Sequence, residues 1–220
     1  MKYAAVIFDM DGTILNTLDD LTDSLNYVLG KMGYPLRTAR EVAGFLGNGV
    51  NVLVKKALPG DAGAEKTAEF LAAFKARYKD HLNDRTRPYD GIMDLLGALK
   101  ERGVKTAVVS NKFDAAVKLL SREYFGGLLE SSVGESETVR RKPAPDGVLM
   151  ALKELGAEKD EALYVGDSEV DVETAKNAGL ACAGVTWGFR EKEVLVRAGA
   201  DYLIDRPEEL LQIVENGTAM

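Results

Sequence analysis

Residues 4–13, AAVIFDMDGT, place two carboxylates directly after a short apolar run near the start of the chain. The apolar residues 4–8 are bounded by charge and glycine, which is typical of a strand buried on both faces of a parallel sheet. Open parallel sheets bind ligands at the carboxyl ends of their strands, where Asp9 and Asp11 would lie. Two acids this close repel each other, so burying them favours a nearby cation. For these residues alone, an ordinary turn around Gly12 is the alternative.

The composition describes an acidic, globular chain. Of the 220 residues, 46% are hydrophobic and 29% are charged, and the net charge is −7 with a pI near 5.0. A chain of this length can form one core domain with an inserted piece. Because nucleic-acid backbones bind basic surfaces, we expect no nucleic-acid partner.

The cysteine content and the hydropathy pattern indicate the cellular compartment of the protein. Cys182 is the only cysteine, which excludes an internal disulfide and favours a reducing compartment. It lies in an apolar run, so a buried thiol is the simplest interpretation, and we assign it no function. The start of the chain is too poor in apolar residues for a signal peptide, and no run approaches the roughly 18 apolar residues of a membrane span. We therefore expect a cytoplasmic protein that does not contact membranes.

The order of the predicted elements indicates the fold class. From residue 91 onwards, helical and strand patterns alternate, which is typical of a doubly wound parallel sheet. Between residues 17 and 82 only helical patterns are convincing. We therefore predict an α/β core of residues 1–14 and 84–220, with an all-α cap of residues 15–83 inserted after the first strand. The later strands are predicted at residues 104–109, 128–133, 162–165, 181–186 and 202–204.

A second polar cluster, Ser110-Asn111, follows the predicted strand at residues 104–109. Its hydroxyl and amide, together with N–H groups at the start of the next helix, could hydrogen-bond an anion. On this dipeptide alone, a plain helix cap is the simpler interpretation.

A third cluster, residues 142–146 (KPAPD), directly precedes a helical pattern. Two prolines stiffen the chain after Lys142, so its ammonium group would be held as a point charge for a phosphate. For the preceding Arg140 and Arg141 we keep the interpretation of a solvated surface run.

The fourth cluster, residues 164–171 (YVGDSEVD), is a predicted strand that runs into a helix. If the first helical turn begins at Ser168, Asp167 and Asp171 lie on the same side of that turn and point to the edge of the sheet. For Asp171 alone, a favourable interaction with the helix dipole is a reasonable alternative.

Taken together and in this order, the four clusters resemble the haloacid dehalogenase (HAD) superfamily of phosphotransferases. Its motifs match Asp9-Met10-Asp11-Gly12-Thr13, Ser110-Asn111, Lys142-Pro143, and Gly166-Asp167 with Asp171. The helical insert resembles the C1 cap of the family. The loop Gly47-Asn48-Gly49 resembles the Gly-x-Gly cap loop of phosphoglycolate-phosphatase-like members, as does the segment at residues 185–189.

The resemblance implies roles for the acidic residues. Asp9 would be the nucleophile that forms an aspartyl-phosphate, and Asp11 would be the general acid and base. Mg²⁺ would be held by the side chains of Asp9 and Asp167 and the backbone carbonyl of Asp11. Asp171 would support the site from close by, holding a metal-bound water or the lysine.

The resemblance also implies how the substrate is held. Ser110, Asn111 and Lys142 would bind the phosphoryl oxygens and stabilise the transition state. The backbone of Gly47, Asn48 and Gly49 would approach the organic part of the substrate, although a plain turn is equally open for this loop.

The implied function is a Mg²⁺-dependent phosphatase acting on a small phosphomonoester, with 2-phosphoglycolate or a similar compound as the best candidate. Asp11 separates this class from dehalogenases, which lack the second acid. A β-phosphoglucomutase-like isomerase, a pyrophosphatase and a phosphometabolite-binding protein without turnover are the alternatives. The expected partner is a small phosphorylated metabolite, and the protein is expected to be a monomer or a homodimer.

Overall fold

The computed structural model describes residues 1–60 and 62–218. Its strands, in chain order, are β1 (Ala5–Phe8), β2 (Leu15–Asn16), β3 (Arg87–Pro88), β4 (Lys105–Phe113), β5 (Ser131–Glu135), β6 (Ala162–Gly166), β7 (Ala181–Val185) and β8 (Tyr202–Ile204). Six of them form one parallel sheet in the order β5-β4-β1-β6-β7-β8. All four residues of β1 are buried, because this strand lies inside the sheet between β4 and β6.

The helices complete the fold. They are α1 (Leu18–Lys31), α2 (Ala39–Phe45), α3 (Val50–Ala57), α4 (Ala64–Asp80), α5 (Ile92–Glu101), α6 (Asp114–Phe125), α7 (Asp146–Leu155), α8 (Glu169–Ala178), α9 (Lys192–Ala198) and α10 (Glu209–Asn216). Within the described residues, none of these helices combines the length and the apolar character needed to cross a membrane.

The two faces of the sheet are covered by different helices. Val6 and Phe8 of β1 belong to an apolar cluster that includes α5, α6 and α10. Ala5 and Ile7 belong to a second cluster that includes α7, α8 and α9. Alternate residues of one strand therefore enter opposite layers, and the predicted doubly wound parallel α/β fold is confirmed.

The helices α1–α4, here called the helical segment, lie between β1 and β4 in the chain and pack on one another. Apolar residues from these helices, including Leu25, Leu29, Phe70 and Phe74, are buried between them. The chain enters and leaves the segment through β2 and β3, which pair antiparallel as a short ribbon. This ribbon was not predicted, because two-residue strands are too short to show an alternating pattern.

A buried carboxylate holds together the two segments of chain that enter and leave the helical segment. Asp20, in the first turn of α1, accepts hydrogen bonds from the backbone N–H groups of Arg85 and Thr86 at 2.8–3.1 Å. It also accepts the hydroxyl hydrogen of Thr86 at 2.8 Å. The start of the helical segment is thereby tied to the returning chain.

Strand β4 is longer than predicted. It extends to Phe113, so Ser110 and Asn111 lie within the strand and not after it. The pairing with β5 shifts register between Val109 and Phe113, which marks a bulge at these positions. Side-chain patterns do not reveal a bulge of this kind, and the polar residues were therefore assigned to the strand end.

Candidate active site

The carboxyl ends of three neighbouring strands bring the predicted site residues together. Asp9 follows β1, Ser110 lies near the end of β4, and Asp167 follows β6. Because these strands are parallel and adjacent, their ends meet at the same edge of the sheet. The loop before α7 adds Lys142, which is also buried.

Three carboxylates form a buried acidic cluster at this edge. Asp9, Asp167 and Asp171 each offer an oxygen atom, and these atoms lie within 4.8 Å of one another. Burial, and then repulsion from Asp171, raises the pKa of Asp9 to about 7, although Lys142 opposes the shift. Burial, followed by the charges of Asp171 and Asp9, raises the pKa of Asp167 well above its ordinary value. The cluster is therefore short of positive charge.

Lys142 connects two members of the acidic cluster. Its Nζ atom lies 2.7 Å from Asp9 Oδ1 and 2.7 Å from Asp171 Oδ1. The same atom donates to the hydroxyl of Tyr164 at 3.2 Å. Lys142 is thus a fixed positive charge against the candidate nucleophile.

Asp171 is held by the first turn of α8. Its Oδ2 accepts hydrogen bonds from the backbone N–H and the hydroxyl of Ser168, at 3.1 and 2.6 Å, in a capping box. Its Oδ1 accepts from Lys142 and Tyr164. Because protein donors engage both oxygens, Asp171 orients the lysine more directly than it could bind a metal.

Asp167 lies in a slot between two glycines. A Cβ atom on Gly12, which has a φ of +90°, would lie 2.4 Å from Asp167 Oδ2, and one on Gly188 would lie 2.3 Å from Asp167 Cβ. The backbone N–H of Phe189 donates to Asp167 Oδ2 at 2.6 Å. Gly12 is therefore required by both its backbone conformation and the approach of Asp167.

The charge and the donor set fit a divalent cation. In this part of the described chain, Asp9, Asp11, Asp167 and Asp171 face two ammonium groups, those of Lys112 and Lys142, so negative charge exceeds positive by two. One oxygen each of Asp9 and Asp167 receives no protein donor among the described hydrogen bonds and ion pairs. Carboxylate oxygens are the ligands that Mg²⁺ prefers. The residues present therefore suit Mg²⁺.

Asp11 pairs with a second buried lysine, Lys112. Lys112 Nζ lies 3.1 Å from Asp11 Oδ1, and Thr17 donates its hydroxyl hydrogen to the same oxygen at 2.7 Å. Lys112 also donates to the hydroxyl of Tyr78 in α4 at 2.7 Å. Burial disfavours the charge of Lys112, but Asp11 and Tyr78 together raise its pKa above the usual range.

Lys112 is a site residue that sequence reasoning missed. Its side chain is only 5% exposed, although lysine is seldom buried. The signal was present in the sequence, because Lys112 directly follows Ser110-Asn111 at the end of an apolar strand. A buried lysine there needs a carboxylate partner, and Asp11 is that partner.

The predicted phosphate-binding residues differ in how they are engaged. The hydroxyl of Ser110 accepts the backbone N–H of Lys112 at 3.2 Å. Asn111 Oδ1 accepts the backbone N–H of Lys142 at 2.6 Å, and its Nδ2 donates to the carbonyl of Gly47 at 2.9 Å. The Asn111 side chain thus links the Lys142 loop to the helical segment, and in this structure its polar atoms bind protein.

A cavity of about 390 Å³ lies between the sheet edge and the helical segment. Its sheet side includes Asp9, Asp11, Ser110, Asn111, Lys112 and Lys142, and its helical side includes Gly47, Gly49, Leu21, Leu46, Val50, Leu53, Phe74 and Tyr78. Among the predicted loop residues, Gly47 and Gly49 line the cavity. Asn48 instead accepts a hydrogen bond from Arg141 through its carbonyl, at 3.4 Å.

Arg190 is a second residue that sequence reasoning missed. Its guanidinium donates to the carbonyls of Ala43 at 2.8 Å and Leu46 at 2.7 Å, at the C-terminal end of α2. Its Nε donates to Glu169 at 3.0 Å. Arg190 therefore joins the core to the helical segment, next to the Phe189 N–H that contacts Asp167.

Comparison with known proteins agrees with this geometry. The model of the family described as haloacid dehalogenase-like hydrolase matches residues 6–185. The chain belongs to the haloacid dehalogenase-like hydrolases. The family predicted from the four motifs is thus confirmed.

Relatives of this hydrolase resemble it over most of its length. Phosphoglycolate phosphatase 1 of Pseudomonas aeruginosa is 35% identical over 212 residues, which cover 94% of this chain and 78% of that protein. A protein of Caldanaerobacter subterraneus provisionally named a pyrophosphatase is 33% identical, with 98% of this chain and 96% of that protein covered. These names agree with the predicted class of phosphatases.

A solved structure supports the same relationship. A crystal structure from Lactobacillus delbrueckii, provisionally named a phosphoglycolate phosphatase, matches with a TM-score of 0.94 and 38% identity. The match covers 97% of this chain and 99% of that chain, so it includes both the sheet and the helical segment.

Proposed function

We propose that this protein is a Mg²⁺-dependent phosphatase that hydrolyses a small phosphomonoester through a phosphorylated Asp9. The observation that carries the proposal is the position of Lys142, 2.7 Å from Asp9 Oδ1 in a cavity that Asp9, Lys142 and Ser110 all line. A carboxylate with a fixed cation beside it, open to a cavity, suits attack on an anionic phosphoryl group.

In the first step, an oxygen of Asp9 forms a bond to phosphorus while the bond from phosphorus to the ester oxygen breaks. Asp11 gives its proton to the departing oxygen, so the alcohol leaves neutral. In the second step, a water molecule gives a proton to Asp11 and bonds to phosphorus. The bond to Asp9 then breaks, which restores the carboxylate and releases inorganic phosphate.

The other residues hold the reacting groups. Lys142 and the Ser110 hydroxyl would bind phosphoryl oxygens, and Asn111 would keep Lys142 in place through its backbone N–H. Asp9 and Asp167, with the Asp11 carbonyl, would hold Mg²⁺, while Asp171 orients Lys142. When bound, Mg²⁺ would neutralise charge on the phosphoryl group and the acids.

The helical segment would act as a cap. We propose that residues 15–83 move relative to the rest of the chain, because Asp9 is only 6% exposed and substrate needs a path to it. Arg190, Asn111 and Lys112 each bond across this junction, to Ala43 and Leu46, Gly47 and Tyr78 respectively. Closure would exclude water while the first step takes place.

The relatives guide the choice of substrate. 2-Phosphoglycolate is the leading candidate, because the Pseudomonas aeruginosa relative is named a phosphoglycolate phosphatase. Pyrophosphate is the second candidate, because a relative 33% identical over nearly the whole chain carries that provisional name.

A phosphate-release screen tests the proposal. Purified protein with Mg²⁺ is offered 2-phosphoglycolate, sugar phosphates, nucleotides, pyrophosphate and p-nitrophenyl phosphate, and a parallel series contains a chelator. We expect phosphate release with Mg²⁺ and none with the chelator. Transfer between sugar positions with little free phosphate would favour a mutase, and binding without turnover would favour a phosphometabolite-binding protein. Undiminished release with the chelator would contradict the metal assignment.

A further inference from the structure

We infer that Lys112 and Tyr78 recognise the leaving group, and that they select phosphomonoesters of short 2-hydroxy acids by binding the carboxylate of the alcohol. The inference rests on the proposed function, because it concerns the same cavity. It adds a specificity-determining pair that the motifs do not include.

The position of Lys112 provides the first argument. Its Nζ atom lies between two oxygens, at 3.1 Å from Asp11 Oδ1 in the core and 2.7 Å from the hydroxyl of Tyr78 in the helical segment. The ammonium also lies 4.7 Å from the centre of the Tyr78 ring. This buried cation is thus held at the junction where a leaving group would lie.

The donor count provides the second argument. An ammonium group has three N–H donors, and contacts within the described chain account for two of those of Lys112, to Asp11 and Tyr78. Lys112 lines the cavity, so a ligand there can accept the third. A buried charged donor without an acceptor is costly, and a carboxylate is a strong acceptor for it.

The short distance between Asp11 and Lys112 provides the third argument. An ester oxygen that takes a proton from Asp11 must approach this carboxylate to about 3 Å. Since Lys112 Nζ is 3.1 Å from Asp11 Oδ1, the ester oxygen and the ammonium would both lie against this one carboxylate group. A carboxylate on the ester-bearing carbon spans the gap between the ester oxygen and the ammonium.

Two buried ammonium groups of the described chain line the cavity, those of Lys112 and Lys142. Lys142 already contacts two carboxylates, Asp9 and Asp171, whereas Lys112 contacts one, Asp11. Leu46, Val50 and Leu53 form an apolar wall. Lys75, also a lining residue, is exposed to solvent, where water weakens its attraction for a carboxylate. A leaving group that carries one carboxylate fits one buried ammonium beside an apolar wall.

The test compares two substrates that differ in this carboxylate. Rates are measured with Mg²⁺ for 2-phosphoglycolate and for ethyl phosphate, in which a methyl group replaces the carboxylate. We expect kcat/KM for 2-phosphoglycolate to exceed that for ethyl phosphate by about 100-fold or more. Sites built around a buried polar group reject analogues that lack the partner of that group. In Lys112→Met the ratio should fall below about tenfold, mainly through a higher KM for 2-phosphoglycolate.

Lys75→Met is the matched control. It removes the same charge from the same cavity at an exposed position, so the substrate ratio should stay within about threefold of the wild-type ratio. Tyr78→Phe removes only the hydroxyl that contacts Lys112 and should lower the ratio by about three- to tenfold. If Lys112→Met does not fold, Tyr78→Phe tests the inference in its place.

Three results would overturn the inference while sparing the proposed function. The first is equal turnover of 2-phosphoglycolate and ethyl phosphate, and the second is turnover of p-nitrophenyl phosphate only. The third is an unchanged substrate ratio in folded Lys112→Met or Tyr78→Phe. If none of the compounds in the screen released phosphate, the proposed function would fail, and this inference with it.

Discussion

Two buried lysines each pair with an aspartate of the first motif, but they belong to different parts of the molecule. Lys142 joins Asp9 to Asp171, and all three residues lie at the edge of the sheet. Lys112 joins Asp11 to Tyr78 of the helical segment, so this contact spans the junction. We therefore expect the first pair to serve the phosphoryl chemistry and the second to respond to the leaving group and the cap.

The largest expected effect concerns the acid partner of Lys142. Asp9→Asn should lower kcat by about 10,000-fold or more, because the amide cannot attack phosphorus. The fold should persist, since the change removes a charge from a crowded acidic cluster. Phosphate release and thermal melting measure both effects, and the exposed Asp160→Asn serves as the control. Wild-type turnover in Asp9→Asn would remove Asp9 from the mechanism.

The lysines themselves give the next test. Lys142→Met should lower kcat by about 1,000-fold for every substrate. It should also lower the free energy of unfolding by about 3 kcal/mol, because it leaves buried Asp9 and Asp171 without their cation. Lys112→Met should cost about 1–2 kcal/mol, since Asp11 is 21% exposed and keeps its bond from Thr17. Urea unfolding measures these free energies. Equal losses of stability in Lys142→Met and Lys112→Met would contradict the proposed difference between the two lysines.

The pH dependence of stability, compared between the wild-type protein and Asp9→Asn, tests Asp9 in the metal-free protein. Its pKa rises from 3.8 to about 7 on folding, so the folded state binds more protons than the unfolded state between these values. The free energy of unfolding contributed by this group therefore falls as pH rises from about 4 to 7. Melting temperatures with a chelator at pH 5 and pH 7.5 should show this decrease, and Asp9→Asn should reduce it. The same decrease in both proteins would exclude Asp9 as its source.

The smallest effect concerns another contact across the junction. Arg190→Gln removes donors to the carbonyls of Ala43 and Leu46, so the proposed cap should close less readily. We expect KM to rise about tenfold, with little change in melting temperature. Arg206→Gln is the control, because Arg206 is 62% exposed and pairs with Glu208 and Glu209, which are close to it in sequence. If KM were unchanged in Arg190→Gln, Arg190 would not govern closure.

The sheet and the acidic cluster were predictable because their signals are local. A buried parallel strand appears as an apolar run, and the residue after it lies at the edge of the sheet. This rule alone places Asp9 and Asp167 together. The bulge in β4 was not predictable, since register depends on the neighbouring strand β5 and not on β4 itself.

The roles of individual polar side chains were harder to predict from the sequence than the sheet and the acidic cluster. Asn111 was expected at the phosphate, yet its amide binds Lys142 and Gly47. Lys112 received no role although it adjoins that motif. In both cases the sequence identifies the residue, but its hydrogen-bond partners lie far away in the chain.

The sequence by itself determined the family, the parallel sheet, and the order of acids and lysine along its edge. These features depend on apolar runs and on the residues directly after them. Only the tertiary structure decided which lysine pairs with which acid and how the helical segment contacts the core. Lys112 and Tyr78 are 34 residues apart, and Arg190 and Ala43 are 147 apart. No periodic pattern links such pairs, because their contact depends on how two separately patterned units pack together.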